Sequence, residues 1–530
     1  MTRILRRAVF AFLLVGAVAG WTPGVGAQDA PAAGPPPAAA PNARSPLGIN
    51  LAKIRDYSPE IVFVDLFRTA RAWASNARGV GWDDAGPLDL DEHGWVRSLR
   101  PGQRAETPLF TGFGPHIPLG TTTCLFEGTG RIEFKGARVL SERPGRIEVR
   151  FDPQAPVRSL RITATDPDDY LRNIRLILPG FLDTYRDEPF HPAFLERWRA
   201  FGVLRFMDWM QTNGSMVERW SQRPTLAHHS QGTERGVALE LMVELANTLG
   251  AEPWFCMPHA ADDEYVRAFA SQVAALLDPS LSVWIEYSNE LWNGQFPQAR
   301  YARERGLELE LAEGASKAGH RYTARRAVEI FALWEEAFGG TERLVRVLAG
   351  QSAVPRTAET ILGFEGGAAH ADVYAIAPYF GGRLVRKESE RVREMGLEGL
   401  MVALRDSVDL QAGIIAKNVA ALEPHELPLV AYEGGQGVFA ARADARDAEF
   451  LALLADANRH PAMAELYAAY LAAWKEAGGT RFVHFSSMSR YGKSGSWGAL
   501  ERHDQDPLSV PKYRALVDFI AGQPRWWERE

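Results

Sequence analysis

The sequence predicts an α/β fold, a (β/α)8 TIM barrel interrupted by a small antiparallel β-domain. Apolar strand patterns alternate with amphipathic helical patterns along residues 45–78 and 180–530, and counting them gives eight β-α units. Residues 79–179 instead carry short runs of period-two alternation broken by Gly, Pro and Asp, which is typical of a sandwich-like β-domain. An open doubly wound sheet is the alternative, but no glycine-rich phosphate loop follows the first strand.

Length and composition indicate a globular protein. The chain has 530 residues, 46% hydrophobic and 24% charged, which suffices for one large barrel and a smaller domain. The formal charge of -7 is spread along the chain without a block of basic residues, so we predict no nucleic-acid partner. The only cysteines, Cys124 and Cys256, fall in different predicted domains, and a disulfide between them is possible but not required.

The N-terminus has the pattern of a secretory signal peptide over residues 1–27. Three arginines among the first seven residues precede an apolar run, Ala8–Gly20, and small residues follow at Val25–Ala27. The run is shorter than the roughly 20 residues that span a bilayer, so we expect cleavage, a secreted or periplasmic protein and no stable membrane anchor. Arg6-Arg7 leaves the twin-arginine export route open. Residues 28–44, rich in Ala and Pro, are predicted to form a linker.

The barrel elements follow in order from Ser45, near which folding is expected to start. Predicted strands are Leu47–Leu51, Val203–Asp208, Glu252–Met257, the first part of Ser282–Gly294, Leu344–Ala349, Asp372–Ala377, Leu427–Tyr432 and Thr480–Phe485. Predicted helices include Pro59–Trp73, after a Ser58 cap, and then His191–Phe201, Glu234–Leu249, Asp263–Leu277 and Pro511–Ala521.

Two glutamates stand where barrel strands end. Ser282–Gly294 delivers Asn289 and Glu290 to the end of the fourth strand, and Glu433 follows the seventh. Barrel strands end at one face, where active sites lie, so these carboxylates are expected to share a pocket. Two carboxylates are the minimum for breaking a glycosidic bond, one as proton donor and one acting at the anomeric carbon.

This arrangement resembles the retaining glycoside hydrolases of clan A, over the barrel but not over the β-insertion. The resemblance implies that Glu290 is the general acid/base, that Asn289 binds the sugar 2-hydroxyl and that Glu433 is the nucleophile. A β-linked glucan is the default substrate that it implies, and mannan-directed or arabinofuranosidase-like activity stays open. The family within the clan is not identified.

Further positions match the clan, and others depart from it. Arg205 on the second strand would hold the nucleophile ionised, and Tyr379 after the sixth would hydrogen-bond it. His259, at the end of the third strand, is a candidate contact for a sugar hydroxyl. Many members have a histidine where this chain has Ala377, and a tryptophan where it has Phe485.

Aromatic side chains near the strand ends are candidate sugar platforms, because a flat apolar ring with a polar edge suits a pyranose. Trp292 and Trp497 are the candidates at the site, and Trp497 could replace the missing eighth-strand tryptophan. Trp209 and Trp254 are equally compatible with stacking on a sugar and with the core.

Structural readings compete with the catalytic one. Asn289 could cap a following helix with Glu290 in its first turn. Glu286, deeper in the same strand, is a rival carboxylate that we expect to be paired inside the barrel, and Glu433 could form a purely structural ion pair with Arg205.

We predict no metal and no cofactor. Asp89–Gly94 resembles a calcium loop only superficially, because His93 and Arg100 stand where ligands would be needed. His228-His229 lacks acidic or cysteine partners at ligand spacing.

The sequence therefore predicts a secreted retaining glycoside hydrolase whose partner is a polysaccharide or oligosaccharide. The alternative is a non-catalytic carbohydrate-binding protein on a glycosidase scaffold, with the insertion as its binding face. An array of exposed aromatic residues on one face of residues 79–179 would favour that alternative. The oligomeric state stays open.

Overall fold

The computed structural model describes Asn42 and residues 44–527. The predicted signal peptide and most of the predicted linker lie outside the described residues. Asn42 is buried, and its side-chain amide donates hydrogen bonds to the carbonyls of Leu249 and Gly250. Ordered contacts therefore begin before Ser45. Among the described residues, no helix is both long and apolar enough to cross a membrane.

Eight parallel strands of the described chain close into a barrel, which confirms the predicted fold class. The first strand pairs with both the second and the eighth, so the insertion does not break the ring. In order, the strands are Leu47–Asn50, Val203–Arg205, Glu252–Met257, Val283–Tyr287, Leu344–Ala349, Val373–Ile376, Leu429–Ala431 and Gly479–Phe485.

Helices surround the barrel and begin and end at recognisable signals. The described α-helices are Pro192–Trp198, Leu239–Leu249, Asp263–Leu276, Pro297–Glu308, Ala315–Phe338, Arg356–Leu362, Gly382–Lys387, Ser389–Leu422, Ala448–Arg459, Ala462–Glu476 and Pro511–Gly522. Asp262 caps Asp263–Leu276 by accepting a hydrogen bond from the Tyr265 amide. Gly250, with φ of 62°, ends Leu239–Leu249 in the left-handed conformation that glycine tolerates.

The hydrophobic core has two layers around the sheet. One lies between the strands and the helices, and a smaller one fills the barrel interior. In the interior, the rings of Trp254 and Trp284 stack with centroids 4.9 Å apart. The barrel interior is thus filled by packed side chains. In such a barrel a functional site lies at the face where the strands end, and this face is called the mouth.

The helix predicted over Pro59–Trp73 is absent, and only the 3-10 turn Leu66–Thr69 forms there. Apolar side chains of this segment serve two cores, since Phe63 packs in the barrel layer and Phe67 in the inserted domain. One helical face cannot fill cores on opposite sides, so most of the segment is non-helical. The helix that completes the first β-α unit is Pro192–Trp198, beyond the insertion.

The helix predicted over Glu234–Leu249 begins only at Leu239. Gly236 has φ of 87°, and a Cβ there would lie 2.3 Å from the Trp209 carbonyl oxygen. This left-handed, tightly packed glycine keeps the preceding residues out of the helix, and the Glu234 carboxylate instead accepts a hydrogen bond from Arg55.

The insertion is a sandwich of two four-stranded sheets packed around their own core. One sheet, in spatial order, contains Ala74–Ala77, Gln103–Pro108, Ser159–Thr165 and Gly130–Lys135; the other contains Arg172–Ile177, Thr122–Glu127, Arg146–Phe151 and Ala137–Arg143. A hairpin of Asp89–Leu90 and Val96–Ser98 completes it. Because its first strand starts at Ala74, the sandwich begins ahead of residue 79. Cys124 and Cys256 are buried and free, one in the sandwich and one in the barrel.

Asp65 joins the segment that precedes the insertion to the insertion's last strand, and replacing it should destabilise the protein. Its buried carboxylate accepts hydrogen bonds from the Phe67 and Leu176 amides and lies 3.4 Å from Arg175 Nε. We expect Asp65→Ala to lower the free energy of unfolding by about 3 kcal/mol, because buried donors and a partly buried guanidinium lose their acceptor. Urea denaturation measures this, with exposed Asp183→Ala as the control; equal stability of the two variants would contradict the assignment.

Candidate active site

A buried guanidinium at the centre of the mouth organises the site. Arg205, the last residue of the second strand, has no exposed surface. Its Nε and Nη2 donate to Glu286 Oε2 at 3.2 and 2.7 Å, and Nη2 also donates to Asn289 Oδ1 at 2.9 Å. Its Nη1 donates to Asn50 Oδ1 at 3.0 Å and to Glu433 Oε1 at 3.1 Å. All five N–H groups of the guanidinium are therefore used.

Glu433 stands directly after Tyr432, at the end of the seventh strand, and is held from two sides. Oε1 accepts the Arg205 hydrogen bond, and Oε2 accepts one from the Tyr379 hydroxyl at 2.9 Å. The predicted contacts of Arg205 and Tyr379 with this carboxyl are thus present. The Arg205–Glu433 ion pair, which is also the structural alternative, is present as well. Among the described residues it leaves Glu433 Oε2 bound only by the Tyr379 hydroxyl.

Glu290 lies after the fourth strand in an unusual backbone conformation. Ser288 and Glu290 have φ of 60° and 45°, a region that non-glycine residues rarely occupy. The Glu290 carboxyl accepts hydrogen bonds from the Tyr432 hydroxyl at 3.2 Å and the Asn293 amide at 2.8 Å. The next helix begins only at Pro297, so Asn289 does not cap a helix and Glu290 is not in a first turn. Such strain is characteristic of functional sites.

Asn289 is fixed by polar contacts on both sides of its amide. Its oxygen accepts from Arg205, and one N–H of Nδ2 donates to Asn213 Oδ1 at 3.0 Å. Gln298 in turn donates to Asn213 Oδ1 at 2.6 Å and to the Asn289 carbonyl at 2.9 Å. The second N–H of Asn289 has no acceptor among the described residues, which leaves one oriented donor for a ligand.

Glu286 is paired inside the barrel, as expected. Besides Arg205, its Oε2 accepts a hydrogen bond from Trp254 Nε1 at 2.9 Å and lies 3.5 Å from Cys256 Sγ. Trp254 is fully buried, and Trp209, also fully buried, donates to the Ala52 carbonyl. Both tryptophans therefore belong to the core and are not sugar platforms.

Burial raises the pKa of both Glu433 and Glu290. For Glu433, burial is the main cause, Arg205 acts in the opposite direction, and the nearby Glu290 carboxyl raises the pKa further. For Glu290, burial again dominates over the hydrogen bonds from Asn293 and Tyr432. Arg205 acts on the Glu433 carboxyl in the predicted direction, but burial outweighs it. Two interacting acids release their protons in separate steps, so over a range of pH the pair holds one proton.

The charged form is best stabilised at Glu433. The first ionisation of the pair leaves one negative charge, and Glu433 alone of the two carboxyls contacts a guanidinium directly. Among the described residues, Glu290 accepts hydrogen bonds only from an amide and a phenol, which are neutral donors. A charge-assisted hydrogen bond is stronger than a neutral one, so the shared proton resides preferentially on Glu290.

Aromatic side chains flank the pair at the mouth. Trp497 packs against Tyr379 and Phe485, with ring centroids 5.5 and 5.8 Å apart, and is partly exposed. Trp292 and Trp497 both line a cleft of about 360 Å³ next to Tyr379. Trp497 thus occupies the neighbourhood of the eighth strand's end, where the sequence lacks the expected tryptophan.

Two sequence-derived candidates have other environments. The ring of His259 packs edge-on against Tyr301 at 5.1 Å, burial lowers its pKa, and none of its described contacts is with the glutamate pair. His228 and His229 lie beside the inserted domain, where His229 contacts the rings of Trp73 and Trp95. In the described part of the chain, no group of three or more His, Cys, Asp or Glu side chains could hold a metal ion.

Sequence reasoning missed several side chains that complete the site. Asn50 follows the rule that polar residues at barrel strand ends point to the site, and that rule could have identified it. Tyr432 precedes the recognised glutamate but looks like an ordinary strand residue. Asn213 and Gln298 lie in a loop and in a helix, and no local pattern marks them.

No protein-family model matches the chain, and no curated protein matches it. Solved structures that are similar to it are glycoside hydrolases with low sequence identity. A 4-O-α-L-rhamnosyl-β-D-glucuronidase from Fusarium oxysporum 12S is 13% identical over 59% of this chain and 61% of that chain, with a TM-score of 0.38. The match thus spans less than two thirds of that enzyme.

Two further structures are similar at the same level. A Bacteroidetes-affiliated GH5 cellulase is 12% identical, over 64% of this chain and 87% of that one, with a TM-score of 0.38. The catalytic domain of a Bacillus sp. JAMB-750 GH26 endo-β-1,4-mannanase is 12% identical, over 61% and 76%, with a TM-score of 0.37. Likeness at this level adds nothing to the barrel topology described above.

The raised pKa of Glu433 makes a prediction about stability. A carboxyl with a raised pKa stabilises the fold fully below its unfolded pKa, near 4.5, and this contribution is lost as the pH rises through the folded pKa. The unfolding free energy of the wild type should therefore fall relative to that of Glu433→Gln above pH 4.5, by at most about 1.4 kcal/mol per pH unit.

Urea denaturation from about pH 4 to about pH 9 measures this difference. Glu264→Gln, at an exposed carboxyl in helix Asp263–Leu276, is the matched control. A difference between wild type and Glu433→Gln that is constant with pH would contradict the assigned shift.

Proposed function

We propose that this protein is a secreted glycoside hydrolase that cleaves a polysaccharide or oligosaccharide with retention of anomeric configuration. The observation that carries the proposal is the asymmetric carboxyl pair at the mouth. Glu433 contacts a guanidinium and a phenol, whereas Glu290 contacts only neutral donors. Two carboxyls whose environments separate their protonation are the requirement for nucleophile and acid in one site.

The geometry supports a double displacement. In the first step the Glu433 carboxylate attacks the anomeric carbon, the bond to the leaving oxygen breaks, and Glu290 gives its proton to that oxygen. In the second step Glu290, now ionised, takes a proton from water while the water oxygen attacks the anomeric carbon and displaces Glu433. The free N–H of Asn289 is an oriented donor for a hydroxyl of the sugar that Glu433 holds.

The active form of the Glu290–Glu433 pair is the one that holds a single proton. Below the first ionisation Glu433 is protonated and cannot attack, and above the second Glu290 has no proton to give. Activity should therefore rise and then fall with pH, with limits that belong to the pair and not to either residue.

The alternative, a carbohydrate-binding protein with the insertion as its binding face, has less support. Residues 79–179 are all described, and Trp82 is their one exposed aromatic side chain, at 55%. A single exposed ring is not the array that such a face would need.

Replacing the acid or the nucleophile tests the proposal on a panel of polysaccharides and aryl glycosides. On the polysaccharides we expect Glu290→Gln and Glu433→Gln each to lose about 10²- to 10⁴-fold in kcat/KM, because each removes a group that acts in the transition state. An aryl glycoside with a good leaving group needs little acid assistance, so Glu290→Gln should cleave its first bond nearly normally. Glu433→Gln should cleave this bond far more slowly than the wild type, because it lacks the nucleophile.

Glu218→Gln, at an exposed carboxyl in a loop outside the pair, is the control and should retain activity. An active wild type whose Glu290→Gln and Glu433→Gln variants stay within a few-fold of it would refute the assignment.

Tyr379→Phe separates a positioning role from a structural one. The Tyr379 hydroxyl lowers the pKa of Glu433 by donating a hydrogen bond to it, so its loss should raise that pKa. A hydrogen bond worth about 0.5–1.5 kcal/mol corresponds to a shift of roughly half to one unit, and the acid limb of the pH–rate profile should move up by that amount. Phe380→Leu, at a neighbouring buried ring, is the control and should leave the limb in place.

A further inference from the structure

Trp497 separates two clefts at the mouth. The first, of about 360 Å³, is bounded by Tyr379, Trp292 and the Arg383–Arg386 turn of helix Gly382–Lys387. The second, of about 460 Å³, lies between the loop after the first strand and the loop after the eighth, with Lys53 and Arg490 in its wall. Both are lined by segments that follow barrel strands, so they form one groove across the site with Trp497 at its middle.

Positive side chains dominate this groove. Arg383 and Arg386 line the first cleft, and Lys53, Arg490 and Lys493 line the second. None of the five forms an ion pair among the described residues, although Lys53 lies near Asp208 and Arg386 lies over the Phe439 ring. These cations are therefore not neutralised by partners of their own.

Acidic side chains are nearly missing from the same surface. Among the residues that line the two clefts, Asp208 alone is acidic. Burial raises its pKa, which favours its neutral form. The whole chain carries a net charge of -7, whereas this groove has five cations without ion pairs among the described residues and one partly buried acid, so its local charge is opposite in sign to that of the protein. A cleft of one sign with low-dielectric walls attracts ligands of the opposite sign.

The groove lies beside the glutamate pair. Trp497 and Phe485 line the second cleft and pack against Tyr379, whose hydroxyl binds Glu433. Asp208 of the same cleft is close enough to raise the pKa of Glu433. The cations on either side of Trp497 therefore lie near a ligand that extends from the pair into the groove.

We propose that the substrate is an anionic polysaccharide, whose carboxylate or sulfate groups are bound by Lys53, Arg490 and Lys493 on one side of Trp497 and by Arg383 and Arg386 on the other. This proposal rests on the proposed function and names its substrate class. The aromatic rings supply contact area for the sugar faces, and the cations select for charge. Neutral glucans lack the groups that would compensate for bringing the five cations close to a bound chain.

The test is a binding measurement that does not need turnover. Full-length Glu290→Gln protein, which leaves polymer uncut, is titrated at low salt with polygalacturonate, with its carboxyl-reduced neutral counterpart, with dextran sulfate and with dextran. We expect at least one anionic polymer to bind about tenfold or more tightly than its neutral counterpart, with affinity falling as salt is added. The arm that binds identifies the group as carboxylate or sulfate.

Charge-removal variants locate the site. Lys53→Gln, Arg490→Gln and Lys493→Gln together should weaken anionic binding about tenfold or more and leave neutral binding unchanged. The matched control replaces Arg138, Arg150 and Lys417 by Gln, since these exposed residues lie in the sandwich and near the end of helix Ser389–Leu422 and form no ion pair among the described residues.

Equal affinity for charged and neutral polymers, no binding of either anionic polymer, or equal losses in the two triple variants would overturn the proposal. So would a single-stranded oligonucleotide that binds as tightly as the best polysaccharide, because the groove would then recognise phosphate chains. Failure of the proposed function is a separate result: Glu290→Gln and Glu433→Gln would keep their activity while charge-dependent binding remained.

Discussion

The site depends on a positive charge that is fully buried in the barrel mouth. Arg205 is fully enclosed, and a guanidinium is tolerated there only because each of its N–H groups meets an oxygen. Its acceptors come from the first, fourth and seventh strands or the residues that follow them. The requirement to satisfy one cation therefore fixes the relative positions of Asn289 and Glu433, which are far apart in sequence.

The same cation explains the asymmetry of the pair. Arg205 is divided between Glu286 and Glu433, so Glu433 receives only part of its charge, and burial still raises the carboxyl's pKa. In the proposed double displacement Glu433 must both attack a carbon and leave again, and a guanidinium shared with Glu286 is compatible with both steps.

Backbone strain places the second member of the pair. The left-handed conformations at Ser288 and Glu290 turn the chain sharply at the strand's end, and each costs of the order of 1–3 kcal/mol. The cost is met locally, because Gln298 binds the Asn289 carbonyl and Asn293 and Tyr432 bind the Glu290 carboxyl. Glu290 is thus held in place by hydrogen bonds from the neighbouring strand end and from its own loop.

Much of this was predictable from the sequence, and the failures have physical causes. Strands such as Glu252–Met257 are buried, largely apolar runs, and Glu290 and Glu433 lie just after two such strands, so the strand count and the two glutamates are predictable from the sequence. Residues 59–73 were misread because their apolar spacing fits a helix, whereas their side chains divide between two cores. The contacts of Asn213 and the position of Trp497 beside Tyr379 depend on chain folding over long sequence distances, which no local pattern records.

In the proposed mechanism Glu433 forms a covalent bond to the sugar while Glu290 transfers the proton. Incubating Glu290→Gln with an aryl glycoside of a good leaving group, followed by mass spectrometry of the proteolysed protein, tests it most directly, because the second step is slow without the general base. If Glu433 is the nucleophile, one added glycosyl group is expected on the peptide that contains Glu433. Full release of the aryl group with no glycosyl-peptide, or a glycosyl group attached to a different residue, would contradict it.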